Sequence, residues 1–169
     1  MSKQRSLLMD GGAVFSPCRK YRYTLRRIWG SNPVYCTFIG LNPSTADELE
    51  DDPTIRRCIT FARGWGYGGM FMVNLFAYRA TDPAVMMVAE DPVGPDNDYH
   101  IKRMAAKSKI VVAAWGNHGG YKGRDKAIYG MGFDLRILSV TKQGQPGHPL
   151  YLPGDLIPVH MDFKDYEIG

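Results

Sequence analysis

The chain has 169 residues, a formal charge of +4, and 44% hydrophobic and 22% charged residues. That length and balance fit one domain with a real core and exclude disordered, coiled-coil and collagen-like classes. The mild positive charge permits a polyanionic partner without requiring one. Cys18, Cys36 and Cys58 are an odd set with no Cys-x-x-Cys pair. They argue against a disulfide framework or a structural zinc site, and the four histidines show no metal-ligand spacing. No secretory signal and no apolar run of membrane-spanning length is seen, so a cytoplasmic protein without a membrane partner is expected.

Residues 1–12 read as a flexible N-terminus and 13–169 as a single domain. Strands are expected at Ala13–Ser16 and Tyr21–Trp29. In the second, Tyr21, Tyr23 and Leu25 alternate with Arg22, Thr24 and Arg26, the pattern of a half-buried strand. Val34 to Ile39 is a nearly continuous apolar strand. Asp52 then supplies an N-cap and Pro53 a first helical residue for a helix ending near Gly64 or Gly66. A strand follows at Met70–Phe76, a helix at Asp96–Lys107 and a strand at Ile110–Trp115. The series closes with a helix at Lys122–Tyr129 and a strand at Leu135–Val140. Strands alternating with helices predict an α/β fold, a three-layer α/β/α sandwich. Its central sheet is expected to be short and mainly parallel, with about four strands plus an N-terminal antiparallel hairpin.

Ligands in such folds bind at the carboxyl ends of the strands, and four unusual loops fall there. In the first, Gly40 permits close approach, and Pro43 holds Asn42 extended beside Ser44. Asn42 is then placed to orient a water or a ligand carbonyl. Asp47 opens an acidic run through Asp52 that reads first as a solvated loop with helix N-terminal charges. In the second loop, Asn74 is a polar residue ending an apolar strand and can read a donor–acceptor edge. Phe76, Tyr78 and Tyr67 are candidate stacking residues, and Arg79 a phosphate or carboxylate ligand. The third loop, Trp115 to Arg124, fails as a Walker A motif because Tyr121 and Gly123 occupy its Gly and Ser/Thr places. Lys122 and Arg124 are left as phosphate-binding residues. In the fourth, His148 lies between Gly147 and Pro149, where it can donate to a developing negative charge.

These residues carry a resemblance. Gly40-Leu41-Asn42-Pro43-Ser44-Thr45-Ala46-Asp47, Asp52-Pro53-Thr54-Ile55-Arg56-Arg57, Asn74-Leu75-Phe76-Ala77-Tyr78-Arg79 and Gly147-His148-Pro149-Leu150-Tyr151 resemble a bacterial and phage family known as domain of unknown function 1643. A more distant likeness is to the uracil-DNA glycosylase superfamily. Some of its members carry Gly-Ile-Asn-Pro where this chain has Gly40-Leu41-Asn42-Pro43. Asn74 looks like its base-reading Asn, and His148-Pro149-Leu150 like its late His-Pro-Ser motif. Its most active members use an Asp where Asn42 stands.

The resemblance implies an N-glycosidic hydrolase acting on a base in nucleic acid or a nucleotide. Asn42, with Asp47 close by, would hold the water, Asn74 would read the base, and His148 would serve the leaving group. No cofactor or metal is implied. The alternatives are a non-catalytic nucleotide or modified-nucleic-acid binding module, and a metal-dependent phosphoryl enzyme using Asp47, Asp51 and Asp52.

Overall fold

The runs at 34–39, 70–76 and 110–115 are apolar at nearly every position because both faces of the strands they form are covered. The computed structural model of the chain describes residues 9–161. Its elements in chain order are β1 (Asp10–Phe15), β2 (Arg22–Ile28), β3 (Tyr35–Gly40), α1 (Pro53–Gly64), β4 (Gly69–Asn74), α2 (Pro83–Met87), α3 (Asn97–Ala106), β5 (Ile110–Ala113), α4 (Arg124–Tyr129), β6 (Leu135–Ile137) and β7 (Val159–His160). Turns of 3-10 helix lie at Asn117–Gly123 and Pro149–Tyr151.

The described strands form one mixed sheet of seven, in the order β1-β2-β4-β3-β5-β6-β7. Strands β4, β3, β5 and β6 are parallel, while β1, β2 and β7 pair antiparallel at the two sides. This corrects the expectation of about four strands with a hairpin added. The hairpin is part of the sheet because β2 pairs with β4, Leu25 opposite Met72. The far edge gains β7, whose two residues were too few to leave a periodic signal.

Side chains alternate across the sheet, and two buried clusters result. On one face Cys36, Phe38, Met70, Met72 and Val112 pack against Ile55, Cys58, Ile59 and Ala62 of α1. On the other, Ile39, Phe71, Val73, Val111 and Ala113 pack against Met86 of α2, Ile101 and Met104 of α3, and Ile128 of α4. Thr37 is buried in this second face, where its hydroxyl meets Ser108 Oγ at 2.6 Å and donates to the Met104 carbonyl. No helix of the described residues is long and apolar enough to cross a membrane.

Helix α1 begins as predicted: Asp52 Oδ1 accepts from the Ile55 N–H at 2.9 Å and Pro53 takes the first turn. Other expectations change. Residues 10–12, expected to be loose, belong to β1, while residues 1–8 lie outside the described set. The alternation read into β2 fails, since Arg22, Tyr23, Thr24 and Leu25 are all buried. The register with β1 shifts between Val14 and Phe15, opposite Arg22 to Thr24, and loop 41–52 covers both Arg22 and Arg27 while Arg26 stays exposed. Helix α4 starts two residues later than predicted, because Lys122 and Gly123 adopt positive φ. The fourth parallel strand ends at Ile137, short of the expected Val140.

From β3 the chain crosses through α1 to β4 on one side, and β5 then pairs on the other side of β3. The strand order therefore switches direction between β3 and β5, and such a switch opens a crevice at the carboxyl ends.

Candidate functional site

A cavity of about 760 Å³ occupies that crevice, within the range of small-molecule sites. All four predicted loops contribute to it: Gly40 to Ser44 at the end of β3, Asn74 with Ala80, Thr81 and Pro83 at the end of β4, Trp115 to His118 after β5, and Ser139 to Lys142 with Gly147, His148 and Leu150 to Leu152 after β6. The start of α1 and Arg22 of β2 complete the wall.

Asn42 is held by its amide. Nδ2 donates to the Ala80 carbonyl at 2.7 Å and the Pro43 carbonyl at 3.2 Å. Two acceptor partners fix which end is nitrogen, and Oδ1 is left as an acceptor for the cavity. Ser44 Oγ meets Thr81 Oγ1 at 3.3 Å, joining the first two loops. Gly40 allows the strands to close here: a Cβ at this position would fall 2.8 Å from Asn74 Oδ1 and 2.6 Å from Met72 Cε.

Asn74 is 2% exposed. Its backbone carbonyl accepts from Asn97 Nδ2 at 2.9 Å, and the same Nδ2 reaches the Leu75 carbonyl at 3.1 Å. The strand end is thus anchored through its backbone. The Asn74 side-chain Nδ2 is buried with no protein partner, which is costly unless something else meets it.

His148 caps the 149–151 turn: Nδ1 accepts from the Leu150 N–H at 3.2 Å. The neutral ring therefore carries its proton on Nε2. Burial lowers its pKa below the usual 6.5, and the Asp52 charge opposes this only in part. The ring is a neutral donor at pH 7. Its loop is pinned by Gly116 N–H to the Pro146 carbonyl and Gly147 N–H to the Ser139 carbonyl, each at 2.9 Å. Gln145 accepts from Trp115 Nε1 at 2.9 Å and donates to Asp125 Oδ2 at 3.0 Å. Arg57 of α1 donates through Nη2 to the Leu152 carbonyl beyond it.

Of the predicted site residues, Gly40, Asn42, Pro43, Ser44, Asn74 and His148 line this one cavity. The others do not. Asp47 turns back on its own loop, where Oδ1 accepts from the Leu49 and Glu50 N–H groups, and these bonds lower its pKa. Phe76 is fully buried in the core against Tyr121. Arg79 lies over the Phe15 ring and donates to the Arg19 carbonyl. Arg124, 6% exposed, donates to Asp98 Oδ1 at 2.6 Å and the Leu75 carbonyl at 2.9 Å. It braces the end of β4 instead of meeting solvent phosphates. Lys122 is exposed beside the Tyr121 ring, outside the cavity.

The acidic run also disperses. Asp51 pairs with Arg27 Nε at 2.8 Å, and Asp52 Oδ2 accepts from the Ala46 N–H. Among the described residues no group of three His, Cys, Asp or Glu side chains is placed to hold a metal ion. The phosphoryl reading thereby loses the convergence of carboxylates it requires.

Among the wall residues not foreseen, Trp115 and Arg22 stand out by their burial. Trp115, 1% exposed, was read as a strand end that opens the third loop, with no role in the site. Arg22 was read as an outward position on an alternating strand, yet it is 2% exposed and lines the cavity. The one hint in the sequence was Arg27, a charged residue at a position that the alternation of Tyr21, Tyr23 and Leu25 makes inward.

A family model described as a protein of unknown function (DUF1643) matches residues 22–150. No curated protein and no solved structure matches the chain.

Proposed function

This chain belongs to the DUF1643 family of proteins of unknown function, and we propose that it is an N-glycosidic hydrolase acting on a nucleobase in nucleic acid or a nucleotide. The observation that carries the reading is the meeting of Asn42, Asn74 and His148 in one cavity at the strand switch. We read the helices on the two sheet faces as the three-layer α/β/α arrangement of the uracil-DNA glycosylase superfamily, whose motifs stand in the same order along the chain. Fold likeness alone does not assign chemistry, so the roles rest on the groups themselves.

In this reading Asn42 Oδ1 accepts a hydrogen bond from the attacking water. The C–N bond breaks with its electron pair going to the base nitrogen, and the sugar carbon passes through an oxocarbenium-like state. The water oxygen bonds to that carbon, and the water proton ends on the departing base. His148 Nε2–H donates to the base as its charge grows. Asn74 meets the polar edge of the base. A base within a duplex would first be flipped out, at about a few kcal/mol.

One observation favours the second reading, a non-catalytic binding module. Asn42 is a neutral amide held by two carbonyls; it can orient water but cannot take its proton. A base-release assay over normal and modified bases, in single and double strands, separates the two. Release that is lost in His148→Ala supports hydrolysis. Saturable binding without product on long incubation supports the binding module.

A further inference from the structure

Arg22 has an unusual standing in this cavity. It enters at the first position of β2, fixed by its N–H to the Ala77 carbonyl at 3.0 Å. The residue is 2% exposed and forms part of the cavity wall. A guanidinium has five N–H donors. Among the described residues its single side-chain hydrogen bond runs from Nη1 to the Ala46 carbonyl at 3.0 Å, and Nε has no partner.

No carboxylate neutralises it at contact distance. Asp52 opposes the effect of burial most and Asp47 less, and both Asp52 oxygens already accept backbone N–H groups. Arg79 and Arg27 add like charge. Burial lowers the Arg22 pKa to about 10, so the group remains charged at neutral pH.

A buried cation without a hydrogen-bonded anion is destabilising, and an apolar side chain of similar size would relieve that cost. Costs of this kind concentrate where a ligand is met. The other unsatisfied buried group of the cavity, Asn74 Nδ2, is also a donor, as is Nε2–H of the neutral His148. Three donors, one of them a buried charge, therefore line the cavity, whose wall also holds the exposed Lys142 and the Asp52 carboxylate.

We propose that Arg22 is the fixed positive charge of the site and selects ligands that carry, or develop, negative charge on a heterocycle. This rests on the hydrolase reading for the identity of the ligand as a base. There the neutral His148 supplies a hydrogen bond to the departing base, and Arg22 supplies the charge. The cavity then prefers bases that ionise at a ring N–H beside a carbonyl oxygen over bases presenting amino groups.

The test is binding of free heterocycles of graded ring acidity: barbituric acid, 5-nitrouracil, uracil and cytosine. Affinity is measured by titration calorimetry at mildly alkaline pH for the unaltered chain, Arg22→Gln and Arg22→Lys. Ionised barbiturate and nitrouracil should bind the unaltered chain at least roughly tenfold tighter than cytosine. Arg22→Gln should weaken them by roughly 100-fold while moving uracil and cytosine by less than about tenfold. Arg22→Lys should recover part of the loss.

Equal loss for ionised and neutral ligands would mean a structural role and overturn the proposal. So would an unchanged preference in Arg22→Gln, or a flat ranking in the unaltered chain. If Arg22→Gln fails to fold, that ranking and Arg22→Lys decide the matter. Arg22-dependent anion binding without base release would reject hydrolysis and leave this inference standing.

Discussion

At the residue scale the site depends on which atom of each side chain is already engaged. His148 uses Nδ1 to accept the Leu150 N–H, so its other nitrogen is the donor. His148→Ala should lower base release by roughly 100- to 1,000-fold, the usual effect of losing one donor to a developing charge. Binding should fall far less, and single-turnover release beside equilibrium titration reads both. The lowered pKa also links this residue to acid stability. Below the usual 6.5 the unfolded chain binds a proton that folded His148 resists. Stability therefore falls as pH drops from there toward the lowered folded value. His100, lowered by burial under Tyr23, adds to the same trend. Urea unfolding from pH 7 to 5 should show this slope, and His148→Gln should reduce it. Gly40 offers a separate probe. In Gly40→Ala the new methyl meets the ends of Met72 and Asn74, which can shift. A stability loss of about 1–3 kcal/mol is expected, with a larger effect on ligand affinity, because Asn74 is one of the groups displaced.

At the element scale, the loops are held by side chains that sequence reading took as ligands or surface. Arg27 clamps the acidic loop through Asp51 Oδ1 and the carbonyls of Asp47 and Glu50. With Arg27 3% and Asp51 12% exposed in their side chains, Arg27→Met should cost about 3–5 kcal/mol, the usual effect of breaking a buried pair. Chemical denaturation measures it. Gly119 packs its backbone on the Trp115 indole, and a Cβ there would fall 2.0 Å from the ring. Gly119→Ala should therefore disturb the Trp115–Gln145 bond and the loop that carries His148, visible as a shift in tryptophan emission. Arg79, Arg124 and Asp47 show why such elements mislead a reader of sequence. A polar residue in a strand-end loop looks available until its partner is known. For Arg124 that partner is Asp98, on a different helix. Helix α2 escaped notice because five residues, even capped by Asp82 Oδ1, leave no periodic pattern.

At the scale of the whole molecule, what was legible followed from long, uniform signals. The runs of β3, β4 and β5 are apolar on both faces, and α1 declares its start with Asp52 and Pro53. Once those strands are parallel, their carboxyl ends share an edge, so residues after β3, β4 and β6 were bound to meet. Asn42, Asn74 and His148 were found in this way. The strand order was not legible, because pairing between β2 and β4 joins segments more than forty residues apart. For the same reason Arg22 was missed: its burial depends on loop 41–52 folding back over β2.

The central claim is that the cavity at this switch cleaves a base from its sugar. Incubation with oligonucleotides bearing a panel of normal and modified bases, followed by quantifying free base by mass, tests it most directly. The unaltered chain should release at least one base, and His148→Ala should lower that release by roughly 100- to 1,000-fold. No free base from any substrate, with equally tight binding by both proteins, would contradict it.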